Sequence, residues 1–328
     1  PAKSNTNDSF LFVHGESRRL TSKEVAIFER ILRAALKEGA YGLSTGLGYA
    51  HGRAASPAEI KVLVKTVAKE GGVYAARLRD AAEDLLESVK EIIKVAKDTG
   101  VKTIVGGLMP TQGSEEQFEA ALELLEKSAA KADIYFTVCP HPVSTRTIYT
   151  LLPGWAQKDN LETMLEIIEN GKLASQVKKE WQKINIERIK IVAAPHHPYL
   201  IGRKIDDADD LIRLMLATGL QATVESPNIN EDLLAASLTK SRALVATEGA
   251  IRGNTFPKYL EMTVKEGKIP IEQAIKKITA DAASCLGLKR RGQVKERSIA
   301  DLVIIGKDGC EIKQAILGGK VVGEEGAR

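Results

Sequence analysis

Cys139, His141, His196, His197, Glu225 and Glu248 are the side chains of this sequence best suited to binding a metal or moving a proton. Thiolate, imidazole and carboxylate are ordinary zinc ligands, and three of them converging could hold an ion. Their spacing is not diagnostic, because no H-E-x-x-H or comparable pattern occurs. On a strand, His196 and His197 would point to opposite faces, so at most one could serve a common site. Pro195 and Pro198 flank them, which suits a loop equally well. Cys139 and His141 would share a strand face, as a thiolate and its base must. A cysteine inside "YFTVCP" also reads as a small buried hydrophobe. Arg77 and Arg79 alternate with Ala76 and Leu78, so both guanidinium groups would lie on one side. Such a pair could clamp a carboxylate or phosphate, or could be tied up by Asp80, Glu83 or Glu248. "GLSTGLG" is glycine-rich but lacks the G-K-[ST] ending of a phosphate-binding loop. His14, just before Gly15, fits a capping or hydrogen-bonding role.

These residues fall at the ends of apolar runs. "FLFVHG", "AYGLSTG", "VYAARL", "VKTIVGGLM", "DIYFTVCPHP", "RIKIVAAP", "LQATVES" and "ALVATEG" read as strands. Amphipathic helices separate most of them. Thr21 with Glu24, and Ser56-Pro57 with Glu59, have the spacing of N-terminal caps. Residues 143–187 turn mainly helical, with "LLPGW" as a break, and a helix pair is expected over 258–286. The tail switches to alternating apolar residues with glycine turns, the pattern of a small β unit. Alternating β and α elements with buried strands imply a parallel sheet covered by helices. Eight candidate strands suggest a (β/α) barrel, whose working residues sit at the C-terminal strand ends.

Bulk properties narrow the function classes. The net charge of +4 is spread along 328 residues without the basic stripe that nucleic-acid binding would need. No apolar run approaches the roughly 18 residues of a membrane span. Cys139, Cys285 and Cys310 are too scattered for a disulfide framework, which fits a reducing, cytoplasmic setting. The polar start "PAKSNTNDSF" lacks a signal-peptide core, and residues 1–9 are expected to form a flexible tail.

"EGAYGLSTGLGYAHGRAASPAEI", "GGVYAARLRD", "LLPGW", "NTFPKYL" and "QAIKKITADAASCLGLKRRGQV…ADLVII" occur in this order. Together they resemble the D-aminoacylase (N-acyl-D-amino-acid deacylase) family of the amidohydrolase superfamily, over residues 10–322. The resemblance implies an α/β, TIM-barrel-like fold, a small β-sandwich, and metal-dependent hydrolysis of the amide bond of an N-acylated D-amino acid. The departures fall on the chemistry. No His-x-His metal motif is found, and the match begins near the family's third barrel strand. The family's Y-x-x-H-x-R reads here Tyr74-Ala-Ala-Arg77-Leu-Arg79, and its S-H-L-K reads Gly106-Gly107-Leu108-Met109. Glu248 matches the aspartate of G-S-D-G, a metal ligand and general base in the family. Cys139 and His141 match the Y-P-Y tyrosines, while Gly42, Ser44, Tyr49, Arg79, Thr255, Phe256 and Pro257 persist.

The expectations are therefore an incomplete or rearranged barrel over 10–290 and a β-sandwich remnant over 291–328. "RIKIVAAP" and "LQATVES", or another subunit, would replace the missing strands. The chain would be a metal-free, catalytically impaired binding or assembly subunit, in a homo-oligomer or with a partner. Arg77, Arg79, Ser44, Tyr49, Cys139 and His141 would line a pocket for a small acylated amino acid or similar carboxylate. The alternative is an active hydrolase with a relocated site, Glu248 as base, and zinc only if Cys139, His141 and His196 have rebuilt a centre.

Overall fold

The computed structural model describes residues 12–13, 16–17, 20–81, 84–158, 160–247, 253–306 and 311–322. A two-residue pair, β1 (Phe12–Val13) and β2 (Glu16–Ser17), precedes the first helix, α1 (Ser22–Lys37). Helix α1 starts where the sequence places it: Thr21 and Glu24 cap each other's backbone amides in a reciprocal box. The next elements are β3 (Gly42–Gly46), the short α2 (Ala50–Arg53) and α3 (Pro57–Lys69). Helix α3 opens on the predicted Ser56–Glu59 box with Pro57 in its first turn. Glu59 also accepts a hydrogen bond from the Leu20 amide, tying the start of α1 to α3.

Strand β4 (Val73–Arg77), helix α4 (Leu85–Thr99), strand β5 (Lys102–Gly106), helix α5 (Glu115–Ser128) and strand β6 (Ile134–Val138) continue the alternation. Strands β3, β4, β5 and β6 pair in parallel in chain order, and a later strand, β10 (Ala243–Val245), joins the far side of β6. One face of this five-stranded sheet is sealed by helices: Tyr74, Ala76, Thr103, Val105, Ile134, Phe136 and Val138 are all buried there. The other face, which a closed barrel would turn inward, is only half covered at Ala75, Ile104 and Tyr135, and Ser44 is exposed. The architecture is thus α/β and TIM-barrel-like, with five parallel strands among the described residues where eight were expected.

The difference lies in three of the predicted strands: among the described residues "FLFVHG" contributes only Phe12–Val13, which pairs antiparallel with β2, and the other two join a different sheet. "RIKIVAAP" and "LQATVES" form β8 (Lys190–Ala193) and β9 (Thr223–Ser226). With β7 (Ser144–Thr147) they make a separate antiparallel sheet in the order β7-β9-β8, and do not replace barrel strands. A second apolar core explains this. Ile148, Met164, Trp181, Ile191, Leu214 and Val224 pack together away from the parallel sheet. Burying one face of a three-stranded sheet on its own core is enough to hold an antiparallel unit. The expected C-terminal β unit is present as an antiparallel sheet of β11 (Leu302–Ile305), β12 (Ile312–Leu317) and β13 (Lys320–Val322). Gly318 and Gly319, both at positive φ, make its tight turn. Its apolar residues remain largely in solvent, with Val303 57% and Leu317 58% exposed.

Candidate active site

The C-terminal ends of the parallel strands carry the candidate site. Arg77 ends β4, Gly106 ends β5, and Cys139 follows β6. These residues, with Gly107, Thr137, Ala246 and Thr247, line a cavity of about 260 Å³. The ladder persists to its rim: Leu78 N–H donates to Gly106 at 3.3 Å and Ala246 N–H to Val138 at 3.0 Å. The strand tips are therefore held in register by backbone bonds.

Arg77 crosses this rim. Its guanidinium lies 5.3 Å from the centre of the Tyr49 ring, a cation–π distance. Its stem lies against Gly107, where an added Cβ would sit 3.3 Å from Arg77 Cγ and 3.7 Å from Nε. Gly107 has φ +79°, so the backbone there is also in the region that favours glycine. The two departures from the family pattern are thus physically joined: the arginine at one tip lies over the glycine at the next.

Arg79 does something different from the expected clamp. It makes a two-pronged pair with Glu91 of α4, through Nε at 3.0 Å and Nη2 at 2.8 Å. It also donates to the carbonyls of Arg53 at 2.9 Å and Ala55 at 3.2 Å. Glu91, twelve positions on, supplies an acid that the sequence did not single out; Glu83 and Glu248 lie outside the described residues. Its guanidinium pKa is raised, first by the Glu91 hydrogen bond. Arg79 therefore fastens the α2 segment to α4.

The other predicted residues separate. Tyr49 borders the larger cleft beside the cavity, and Cys139 is buried in the smaller cavity's wall. His141 is buried with Nε2 3.4 Å from the Thr255 hydroxyl, and borders neither space. Ser44 is exposed on the half-covered sheet face and also borders neither. Glu225 lies on the antiparallel sheet opposite Thr145 and Lys190. His196 is exposed at φ +64°, and His197 Nδ1 lies 3.1 Å from the Tyr199 hydroxyl. The histidines after β8 and the Cys139–His141 pair thus belong to different sheets. Glu248 and His14 lie outside the described residues. Among the described residues no group of three or more His, Cys, Asp and Glu side chains is arranged to hold a metal.

The larger cleft, of about 760 Å³, was not foreseen. It opens between the strand tips and the antiparallel sheet. Arg146, Gln117 and Ser226 line it, and each has a buried polar side-chain atom without a hydrogen-bond partner among the described residues. Burial pushes the Arg146 pKa down. The sequence signal was slight, a single cation in the polar run "STRT".

A sequence model of the Amidohydrolase family matches residues 53–322. The chain belongs to that family. Among curated relatives it is similar to D-aminoacylase from Alcaligenes xylosoxydans xylosoxydans, 23% identical over 306 residues, covering 88% of this chain and 56% of the relative. It is likewise similar to N-acyl-D-glutamate deacylase of the same organism, 24% identical over 310 residues, with coverages of 88% and 56%. The chain thus spans about half the length of these relatives. The D-aminoacylase crystal structure superposes with a TM-score of 0.78 at 20% identity, covering 98% of this chain and 67% of that one. N-acyl-D-glutamate deacylase from Bordetella bronchiseptica, solved with zinc and a phosphonate inhibitor, gives 0.72 at 20% identity, with coverages of 92% and 64%.

The zinc in that relative raises the question of fit. This amidohydrolase-family chain offers its smaller cavity one thiol, one threonine pair, glycine and alanine backbone, and a guanidinium. A fixed cation beside one soft donor repels an ion that needs three or four ligands. The described residues do not fit a zinc centre there. No helix among them is long and apolar enough to cross a membrane.

Proposed function

We propose that this chain is a catalytically impaired member of the amidohydrolase family. It acts as a binding or assembly subunit and keeps a pocket for small carboxylates such as acylated amino acids. The carrying observation is Arg77 laid across Gly107 at the tips where the family resemblance calls for metal-binding histidines. Zinc-assisted amide hydrolysis needs the ion to generate a nucleophilic water near neutral pH, and a guanidinium in that position opposes the ion.

The assembly half of the reading rests on uncovered surface. Strands β3 and β10 are the edges of the parallel sheet, with no ladder neighbour on their outer sides among the described residues. Helix α1 leaves Ile27 47% and Ile31 52% exposed on an amphipathic helix. Open parallel edges and bare apolar faces are rarely left to water. In this reading a further polypeptide, a second copy or a distinct partner, covers them in the cytoplasm. The C-terminal sheet, within the segment 291–328, is the remnant of a small sandwich that the same partner would complete.

Elemental mass spectrometry on tag-free protein prepared without chelator, together with hydrolysis assays on N-acetyl-D-amino acids, tests the catalytic half. The expected result is far less than one zinc, manganese, nickel or iron per chain and no turnover. About one metal per chain with turnover would overturn it. The competing reading, a relocated hydrolytic site, has Cys139 in the cavity wall in its favour. It requires turnover that Glu248→Gln abolishes.

A further inference from the structure

We infer that residues 289–297 form a docking loop for an anionic lipid surface. Lys289, Arg290, Lys295 and Arg297 would meet the headgroup phosphates, and Val294 would enter the apolar boundary beneath them. The inference goes beyond the strand-tip pocket and holds whether or not the chain binds or hydrolyses anything there.

The charge comes first. The run "KRRGQVKER" holds five cations and one acid, an excess equal to the net +4 of the whole chain. The rest of the chain is therefore balanced, and the charge expected to be spread along it is concentrated in this loop. Arg291 is committed within the fold, because it pairs with Asp301. Lys289, Arg290, Lys295 and Arg297 are exposed and have no acidic partner among the described residues. Like charges clustered in one loop repel one another, and a polyanionic surface relieves that repulsion.

The frame holds the cluster in one shape. Ile299 N–H donates to the Arg290 carbonyl at 2.9 Å and Arg290 Nε to the Arg297 carbonyl at 3.0 Å, which closes the two ends of the loop. Gly292, at φ +79°, lies against the helical residues below, where an added Cβ would meet Ala283 Cβ and the Thr279 carbonyl oxygen at 2.7 Å. Asp301, which holds Arg291, also accepts from Gly318 N–H at 2.9 Å, so the loop base is fixed to the C-terminal sheet. Ser298 N–H donates to the Lys295 carbonyl at 3.1 Å, making a tight turn with Arg297 at φ +65°. Glycine takes that conformation without strain, yet a cation stands there. A loop held this way needs little ordering on binding.

The apolar tip selects the partner. Val294 is 89% exposed, the barest large hydrophobic among the described residues, and it lies between the two groups of cations. Residues 286–328 contain no Phe, Tyr or Trp. Single-stranded nucleic acids stack on aromatic rings, and protein hot spots favour Trp and Tyr. An aliphatic side chain between Lys and Arg is instead the pattern of attachment to an anionic leaflet. Each cation near such a surface contributes about fivefold in affinity. The four unpaired cations against Glu296 leave three uncompensated charges, hence a preference of about a hundredfold over neutral lipid.

Vesicle co-sedimentation of the whole chain tests the loop, with phosphatidylcholine vesicles carrying about 30% phosphatidylserine against pure phosphatidylcholine. Partitioning onto the anionic vesicles should be at least about tenfold stronger and should fall away near 0.5 M salt, at roughly a Debye length of a few ångströms. Arg297→Gly should weaken it about fivefold without lowering the unfolding midpoint, because glycine adopts φ +65° freely. Adding Lys295→Gln should bring the loss to about 25-fold. Val294→Ser should weaken vesicle binding a few-fold and leave binding of a thymidine oligonucleotide unchanged. Equal partitioning onto the two vesicles, or anionic binding untouched by Arg297→Gly and by the double variant, would overturn the loop as a docking surface. An oligonucleotide bound more tightly than the vesicles, with Val294→Ser neutral to both, would overturn the lipid assignment in favour of nucleic acid.

Discussion

Replacing Arg79 with methionine separates a structural arginine from a substrate clamp. The change keeps the stem and removes four hydrogen bonds: two to Glu91 at 3.0 and 2.8 Å, and those to the Arg53 and Ala55 carbonyls at 2.9 and 3.2 Å. The Arg79 and Glu91 side chains are 28% and 17% exposed, so the pair lies between a surface and a buried ion pair. Exposed pairs contribute about 0–1 kcal/mol, and breaking one side of a buried pair costs about 3–5 kcal/mol. Interpolating for partial solvent screening gives about 2–3 kcal/mol for Arg79→Met. Glu91→Gln should cost about 1–2 kcal/mol, since it leaves the guanidinium bound to the two carbonyls. The double variant should lose less than the sum, with a coupling of about 1–2 kcal/mol. Urea unfolding followed by far-ultraviolet circular dichroism, at constant slope, measures all three. Arg79→Met unfolding within about 0.5 kcal/mol of the parent, or zero coupling to Glu91, would refute the structural role. If the same variant kept its stability but lost N-acetylglycine binding, Arg79 would be a ligand clamp after all.

Two further outcomes follow from the same geometry. Tyr74 is buried, with its hydroxyl 2.8 Å from that of Thr45, and burial pushes its pKa up to about 12. Its folded pKa lies above the unfolded value, so its contribution is intact below about pH 10 and is lost as pH rises through 12, by about 2–3 kcal/mol. Tyr74→Phe should flatten that alkaline loss, measured as urea midpoints at pH 8 and 11, and an unchanged slope would refute it. Gly107→Ala should destabilise by about 1–2 kcal/mol, because an L-residue must take φ +79°. The added Cβ also meets Arg77 Cγ at 3.3 Å, so the cost should shrink but persist in an Arg77→Ala background. A neutral Gly107→Ala would mean the tip is not built this way.

Much of the local structure was legible in the residues. Both capping boxes appear where Thr21/Glu24 and Ser56/Glu59 predict them, because a cap is decided within four residues. The strands ending at Arg77, Gly106 and Val138 were read from their apolar runs. Which sheet a strand joins was not legible. "RIKIVAAP" and "LQATVES" look like barrel strands by composition, and only the second core around Trp181 and Met164 draws them into an antiparallel unit. The site divided in the same way. Tyr49, Arg77 and Cys139, expected as substrate-binding residues, line the two spaces at the strand tips, and Arg77 and Gly107 stood out in the sequence as two departures from one pattern. Ser44 and His141 were expected in the pocket and border neither space, and Arg79 borders the larger cleft while paired with Glu91 of α4. Arg146 went unremarked, because its want of a partner depends on burial and on what the cleft's other wall provides. The sequence by itself determined the caps, the strand segments and the family, since each is written in short spacings along the chain. Only the tertiary structure decided sheet membership, the partner of each arginine and the unmet charge in the cleft. Those depend on distances between segments far apart in sequence, which no local pattern encodes.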